Sequence, residues 1–484
     1  MSLRVKFMFF MSENFVFTQG RQPNLVPAPG RFMHLKINLI VGLALIVGLI
    51  GCATSRPDIA KSDLPPGDMP SFHSLAASGN VLQEPLEIKE PTGSITLREA
   101  IALALVKNPE LAAFSWEIRA RKARMLQAGL LPNPELQVEL QDIAGSGVYR
   151  GTRSAESTIQ LSQLIELGGK RSRRVRGKKF EKDLADWDYR AKKIDILTLA
   201  THAFIEVLSA QQQLVLAEKS VRLAEEIVHT VSGRVRAGKV LPVEETRANV
   251  SLFSVQIEVE QARQRLDSAR KGLTSAWGST NPKFERAEGD LSAVSPVPLF
   301  DPLISSLSQN PDIARLDTET ALGQAMVDLE KSRAFPDITV SAGYRRFNAS
   351  DDNAIVVGAS IPLPLFNKNQ GGKQEALHRL AKIEKERHFV QTRLRTALAK
   401  AYNRLSVAYF KTHTLKTKII PGAQTAFDIT NQGYRLGKFR YLNVLDTQRT
   451  LFDAQVEYIQ ALTEYHKAVA DVERLIGGSM SDIR

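Results

Sequence analysis

The stretch P-N-P-E-L-Q-V-E-L-Q-D-I-A-G, Pro132 to Gly145, decides how this chain is read. Leu136, Val138 and Leu140 alternate with Glu135, Gln137, Glu139 and Gln141. A period of two residues puts one apolar and one polar face on a β-strand. Yet the flanking sequence is helical in pattern for long distances, so the strand needs a reason to be there.

The chain has 484 residues, a hydrophobic content of 43% and a net charge of +12. Lys and Arg are interspersed with Glu and Asp along helix-patterned segments, which reads as solvated helix faces and not as a nucleic-acid surface. A single cysteine excludes an intramolecular disulfide. That residue, Cys52, follows an apolar run from Ile37 to Ile50, itself preceded by Arg31 and Lys36. The run is too short and too early for a membrane span and reads as an export signal, with residues 1–51 as leader. Leu49-Ile50-Gly51-Cys52 resembles the bacterial lipobox, which implies cleavage before Cys52, an N-terminal lipid on its thiol and no other cofactor. Ala53 in place of Asp implies the outer membrane. The competing reading is an ordinary signal with a chance cysteine, and either Met1 or Met33 could be the start. Residues 52–95 follow as a Pro-, Ser- and Gly-containing linker without sustained periodicity.

The rest is written twice. Asn108-Pro109-Glu110-Leu111 returns as Asn310-Pro311-Asp312-Ile313, and Pro134 returns as Pro336. Ser162–Leu167 aligns with Ser360–Leu365, and Arg236-Ala237-Gly238-Lys239 with Arg435-Leu436-Gly437-Lys438. These landmarks keep one order, so 96–295 and 296–477 are two copies, with 478–484 a tail. Each copy predicts the same plan. A helix comes first (Thr96 to Leu130; Asp301 to Ala334), with Thr96 and Glu99 as a capping box and Asp301 as a cap. A β-hairpin follows over 134–164 and 336–363, its return strands at Ala155–Leu164 and Ala354–Leu363. Then comes a long helix (Lys170 to Val231; Gln370 to Ile420), a turn at each R-x-G-K, and a helix of Pro242–Trp277 or Tyr441–Ile476. A helix of ~60 residues is roughly 90 Å long and needs a coiled-coil seam. Phe180, Leu184, Trp187, Ala191 and Ile194 form one stretch of it; Tyr458, Leu462, Tyr465, Val469, Val472 and Ile476 form another.

Strands of about ten alternating residues suit a transmembrane β-barrel. Four of them cannot close one, because about eight is the practical minimum. If they cross a membrane, several chains share the barrel. The competing reading is a soluble sheet capping a helical bundle.

The duplicated helix–hairpin–helix plan, the N-P-E-L and N-P-D-I pair and the G-Y-R-L-G-K-F turn resemble the TolC family of outer-membrane factors, from about residue 90 to 477. The resemblance implies a mainly α fold with a membrane β-barrel. It implies a homotrimer whose twelve strands close one barrel above a long coiled-coil α-barrel, lipid-anchored and extending into the periplasm of a Gram-negative bacterium. Glu166-Leu167-Gly168-Gly169-Lys170-Arg171 is similar to a motif of the heavy-metal branch. The implied role is the exit duct of a tripartite efflux pump for metal cations, with a periplasmic adaptor and an inner-membrane RND transporter as partners. Arg236, Ala237, Gly238, Arg435, Leu436 and Gly437 match the tips that engage the adaptor. Asp446 matches one residue of the acidic aperture ring, Asn443 stands at the other, Glu244 is its equivalent in the first copy, and Tyr434 matches a tyrosine that holds the aperture closed.

No enzymatic constellation stands out. Gly233 to Lys239 fits G-x-x-x-x-G-K, but Val240 stands where a phosphate loop needs Ser or Thr, and a helix precedes it. The eight histidines have no metal-ligand spacing, so no metal site and no nucleic-acid partner is assigned. Drug efflux, a type I secretion duct, and a lipid-anchored periplasmic coiled-coil scaffold remain open as alternatives.

Overall fold

The computed structural model describes residues 90–480. Cys52, the leader and most of the linker lie outside the described residues. The linker is shorter than its composition implies. Its last two residues belong to strand β1 (Ser94–Thr96), which pairs in parallel with β4 (Arg286–Glu288). Thr96 then caps α1 (Leu97–Lys107). The Glu99 amide donates to Thr96 Oγ1 at 3.3 Å, and the Thr96 amide donates to Glu99 Oε2 at 2.8 Å.

The expected first helix is two helices. Asn108 ends α1 and caps α2 (Pro109–Ala128), its Oδ1 accepting from the Leu111 amide at 2.9 Å. Proline is welcome at the first helical position but disfavours helix in the residue before it, so Asn-Pro breaks the run. The second copy does the same. A short α5 (Phe300–Ser306) precedes a single 3-10 turn, and Asn310 caps α6 (Pro311–Ser332). Asp301 is not the cap; Leu299 holds that position and Asp301 lies in the first turn.

Four strands follow the predicted alternation: β2 (Glu135–Gln141), β3 (Glu156–Ile165), β5 (Ile338–Phe347) and β6 (Asp352–Ser360). They form one antiparallel sheet in the order β2-β3-β5-β6, so β3 and β5 join the two copies at the centre. The last strand ends at Ser360, so Ile361 and Leu363 fall beyond it.

The long helices outrun their expected ends. α3 (Lys170–Arg236) is 67 residues, about 100 Å at 1.5 Å per residue. Its counterpart is α7 (Gln370–Thr414), a π-helical turn (Leu415–Ile419) and α8 (Ile420–Arg435). Helices α4 (Pro242–Ser275) and α9 (Tyr441–Ile476) return from the tips. α3 packs against α2, α4, α6 and α9, and α7 packs against α6 and α9. The Phe180–Ile194 stretch of seam is therefore half-buried on every side and not a single stripe, whereas Leu462, Tyr465, Val472 and Ile476 of α9 are buried as expected. The largest core gathers around Ile95, Leu103, Phe204, Leu273 and Trp277, where β1, α1, α3 and α4 meet.

Candidate functional site

Two ends of the molecule carry the predicted functional residues. At one end is the sheet. Register pairs Leu136 with Leu161, Val138 with Ile159, Ile159 with Tyr344, and Tyr344 with Ile355, so these side chains share one face. That face is open: Val138 is 65% exposed and Ile355 82%. Gln137, Gln160, Thr158 and Arg345 share the opposite face, where Arg345 pairs with Glu156 at 3.1 Å. Bare apolar side chains on one face and polar ones on the other suit lipid outside and water inside. Among the described residues β2 and β6 each have one unpaired edge, which is costly in hydrocarbon. No described helix is long and apolar enough to cross a membrane.

Below the sheet, the E-L-G-G-K-R residues form a joint. Arg174 grips Glu166 with two hydrogen bonds of 2.6 and 3.0 Å, and its Nε donates to the Ala128 carbonyl at 2.9 Å. Lys170 pairs with Asp337 of the second copy at 2.7 Å; Arg171 donates to the Gly129 carbonyl at 2.6 Å. Gly168 and Gly169 take φ of +68° and +69°, which turns the chain from strand into helix. The motif ties α2, α3, β3 and β5 together, a role that its resemblance to a metal-branch motif did not suggest.

At the other end are the tip turns. Gly238 (φ +65°) and Gly437 (φ +79°) close the α3 and α8 C-termini in the left-handed region. The Lys239 amide returns to the Arg234 carbonyl at 2.9 Å and the Lys438 amide to the Gly433 carbonyl at 2.8 Å. This is a helix end, with no strand before it, so the G-x-x-x-x-G-K pattern is not a phosphate loop. Arg236, Ala237, Gly238, Arg435, Leu436 and Gly437 are all exposed.

The structure brings Tyr434 and Glu244 together. The Tyr434 hydroxyl donates to Glu244 Oε2 at 3.4 Å, and its ring lies 6.1 Å from that of Tyr441. Burial, with the Glu244 charge beside it, pushes the Tyr434 phenol up to about 12. Asn443 and Asp446 are not part of this cluster. They are exposed, one turn apart on α9. Sequence reasoning missed Arg234. Its guanidinium carbon sits 4.6 Å above the Tyr434 ring, and Nη1 donates to the Tyr434 carbonyl. No local pattern marks it, because its partner is contributed by the other copy.

Among the described residues, no cluster of His, Cys, Asp and Glu is arranged to hold a metal ion. A cavity of about 340 Å³ lies between α1, α3 and α9, lined mainly by apolar side chains such as Ile101, Leu197 and Val469, with His466 at its wall. Burial pushes His466 below its ordinary value, and its ring nitrogen lies 2.8 Å from the Leu291 carbonyl.

Known proteins share this arrangement. The chain is 36% identical to the cobalt-zinc-cadmium resistance protein CzcC of Cupriavidus metallidurans, over 84% of its own length and 96% of that protein. It is 25% identical to the nickel and cobalt resistance protein CnrC of the same species, over 64% of this chain and 73% of that one. Among solved structures, CusC superimposes with a TM-score of 0.68 at 18% identity, covering 81% of this chain and 96% of that chain. VceC of Vibrio cholerae gives 0.67 at 17%, covering 79% and 96%. The family model for outer membrane efflux proteins matches residues 100–279 and 303–478, the two copies in turn. With the family match spanning most of the chain and the fold shared with solved channels, this protein belongs to the outer membrane efflux protein family, whose members are transport channels and not enzymes.

Proposed function

We propose that the protein is the exit channel of a tripartite efflux pump that expels divalent transition-metal cations. Its assembly is a homotrimer: three four-stranded sheets close a twelve-stranded barrel in the outer membrane, and the helices form a tunnel through the periplasm. The observation that carries this reading is the sheet with one apolar face, one polar face and a free edge on each side. The helices support the same closure. β2 and α2 lie along one lateral edge of the chain, β6 and α7 along the other. Both edges expose large apolar groups, Trp116 and Leu126 on the first, Phe389 and Phe410 on the second. Unlike edges that meet head to tail generate a ring.

Cys52 carries the lipid that holds the N-terminus to the membrane. The adaptor engages the exposed turns at Arg236–Gly238 and Arg435–Gly437, and an inner-membrane RND transporter supplies the energy. Asp446, Asn443 and Glu244 line the aperture, and Tyr434 holds it closed. Metal cargo is supported by the 36% identity to a cobalt-zinc-cadmium resistance protein.

The test is growth of a deletion strain on zinc, cobalt, cadmium and nickel salts beside dyes and antibiotics, with the intact gene restored. Sensitivity confined to metals supports the reading. Sensitivity to dyes and antibiotics alone replaces it with drug efflux.

A further inference from the structure

The helices of the first copy change character where they meet the sheet. The first ten residues of α3, Lys170 to Lys179, hold seven cations and no carboxylate. The last ten of α2, Arg119 to Ala128, hold four cations and again no carboxylate. The matching stretches of the second copy, Gly323 to Ser332 of α6 and Gln370 to Arg379 of α7, hold three of each sign. Cations in the first turns of a helix oppose its dipole, so the run does not serve the stability of α3 itself. Carboxylates return to α3 at Glu181, Asp183 and Asp186, where Lys178 and Lys182 pair with them.

Part of the excess is neutralised within the protein. Lys170 meets Asp337, Arg174 meets Glu166, and Arg121 meets Glu117 and Glu181. Arg119, Lys122, Arg176 and Lys179 are exposed, and among the described residues none of them has a carboxylate partner. Arg119 and Arg176 lie only over the rings of Trp116 and Phe180, at 4.5 and 5.8 Å.

These four share one side of the helical wall. Arg171, Arg174 and Val175 touch the end of α2, whereas Arg173 and Gly177 touch α6. At 3.6 residues per turn the two sets of contacts lie roughly 130° apart, on the side of α3 opposite Arg176 and Lys179. In a closed ring of helices the two neighbours of each member converge on the lumen side, so Arg176 and Lys179 face outward. Continued to the antiparallel α2, the same geometry puts Arg119 and Lys122 on that outer side.

The level of the patch is also set. All four segments that join the sheet to the helices expose a large apolar side chain: Leu131, Leu167, Phe335 and Phe366, the last 91% exposed. They carry the apolar surface of the sheet down to the helix ends, where hydrocarbon stops. Lys122 and Arg176 each stand six residues from those ends, roughly 9 Å on, and Arg119 and Lys179 one turn further. Headgroups extend about 5–7 Å beyond the hydrocarbon, and a surface charge is felt for about 8–10 Å more.

We infer that Arg119, Lys122, Arg176 and Lys179 form a docking surface for anionic phospholipid headgroups in the periplasmic leaflet of the outer membrane. A zwitterionic headgroup brings its own cation. A phosphatidylglycerol-type headgroup brings the net negative charge that the patch lacks. A neighbouring copy does not supply it: in the proposed ring the facing helix is α7, whose stretch from Gln370 to His388 itself carries more cations than carboxylates. The inference rests on the channel reading for its membrane. It adds a lipid preference and assigns it to the first copy alone, so each chain presents one patch.

The experiment reconstitutes the full-length protein in phosphatidylcholine vesicles and adds spin-labelled phosphatidylglycerol or spin-labelled phosphatidylcholine. The fraction of each label held immobile at the protein surface gives their relative affinity. The parent is expected to favour phosphatidylglycerol several-fold, and R119Q/K122Q/R176Q/K179Q to bring the ratio close to one. R119K/R176K, which keeps the charge, is expected to hold the parent ratio. R150Q/R153Q, which removes two exposed cations beyond the far end of the sheet, is expected to hold it too. A parent ratio of one overturns the inference, as does a preference that survives the fourfold variant or is lost in R150Q/R153Q. Those outcomes leave the channel reading standing, because the protein has still entered the bilayer. A protein that enters no bilayer and immobilises neither label removes both.

Discussion

Lys170 of the first copy and Asp337 of the second form an ion pair of 2.7 Å just beneath the sheet, where both side chains are largely buried. The same Asp337 oxygen accepts the Leu167 amide at 2.9 Å. Removing the carboxylate leaves an ammonium and an amide short of a partner. D337A is therefore expected to lower stability by about 1–3 kcal/mol. If the joint is structural and does not select cargo, the ranking of tolerated metal salts stays the same once expression is matched. Thermal melting and growth on a panel of metals check both halves.

Asn108 and Asn310 make the same double use of one amide. The oxygen caps α2 or α6, and Nδ2 donates to the end of the returning helix, to the Ala276 carbonyl at 2.8 Å or the Leu475 carbonyl at 2.8 Å. N310A loses both and is expected to cost about 1–2 kcal/mol. N310D keeps the cap but sets a carboxylate against the Leu475 carbonyl. It is expected to be no better than alanine, although aspartate is a good cap elsewhere. Melting of the two variants side by side gives the answer.

The sheet faces should differ sharply in their tolerance of charge. V138R adds a cation to the apolar face, where such a residue costs about 2–4 kcal/mol at the bilayer midplane. It is expected to reduce the amount of heat-modifiable, membrane-integrated protein. Q160R, on the polar face, is expected to leave that amount unchanged and to shift ion selectivity. Gel mobility with and without heating, followed by reversal-potential measurements, separates the two.

Asp471 supplies a pH dependence. Burial pushes its carboxyl up, but the His202 hydrogen bond and the charges of His202, Arg404 and Arg474 outweigh burial and hold it below its ordinary value. A carboxyl lowered in the folded state adds stability above its unfolded value and loses it as pH falls through the folded one. D471N should therefore melt below the parent at neutral pH, and the gap should close as the medium is acidified through the carboxylate range. A gap that is constant with pH would assign the effect to packing alone.

Much of this architecture was legible in the sequence, because repetition and period are local signals. The alternation of Leu136, Val138 and Leu140 placed the first strand, and the 108/310 and 238/437 pairs placed both copies. What escaped reading depended on contacts between distant segments. The break at Asn108-Pro109 was hidden by apolar spacing that carries on through it. β1 was hidden because three residues have no detectable period, and only β4 gives them a reason to be extended. The π turn was hidden because its sequence, Leu415 to Ile419, is ordinary helix former. The candidate gate was half legible: Tyr434 and Glu244 were named separately and proved to touch, while Arg234 had no mark until the second copy was laid beside the first.

The two free sheet edges have a genetic consequence. β2 offers seven residues to its neighbour and β6 offers nine, and in the proposed ring each contact joins one of each. A chain that has lost β2 pairing but kept β6 still captures a healthy neighbour and leaves the ring unclosed. Such an allele should poison wild-type copies when co-expressed. One that has lost both edges has nothing with which to capture a partner, so it should be silent beside an intact gene. Dominance therefore reports whether a mutation strikes one edge or both.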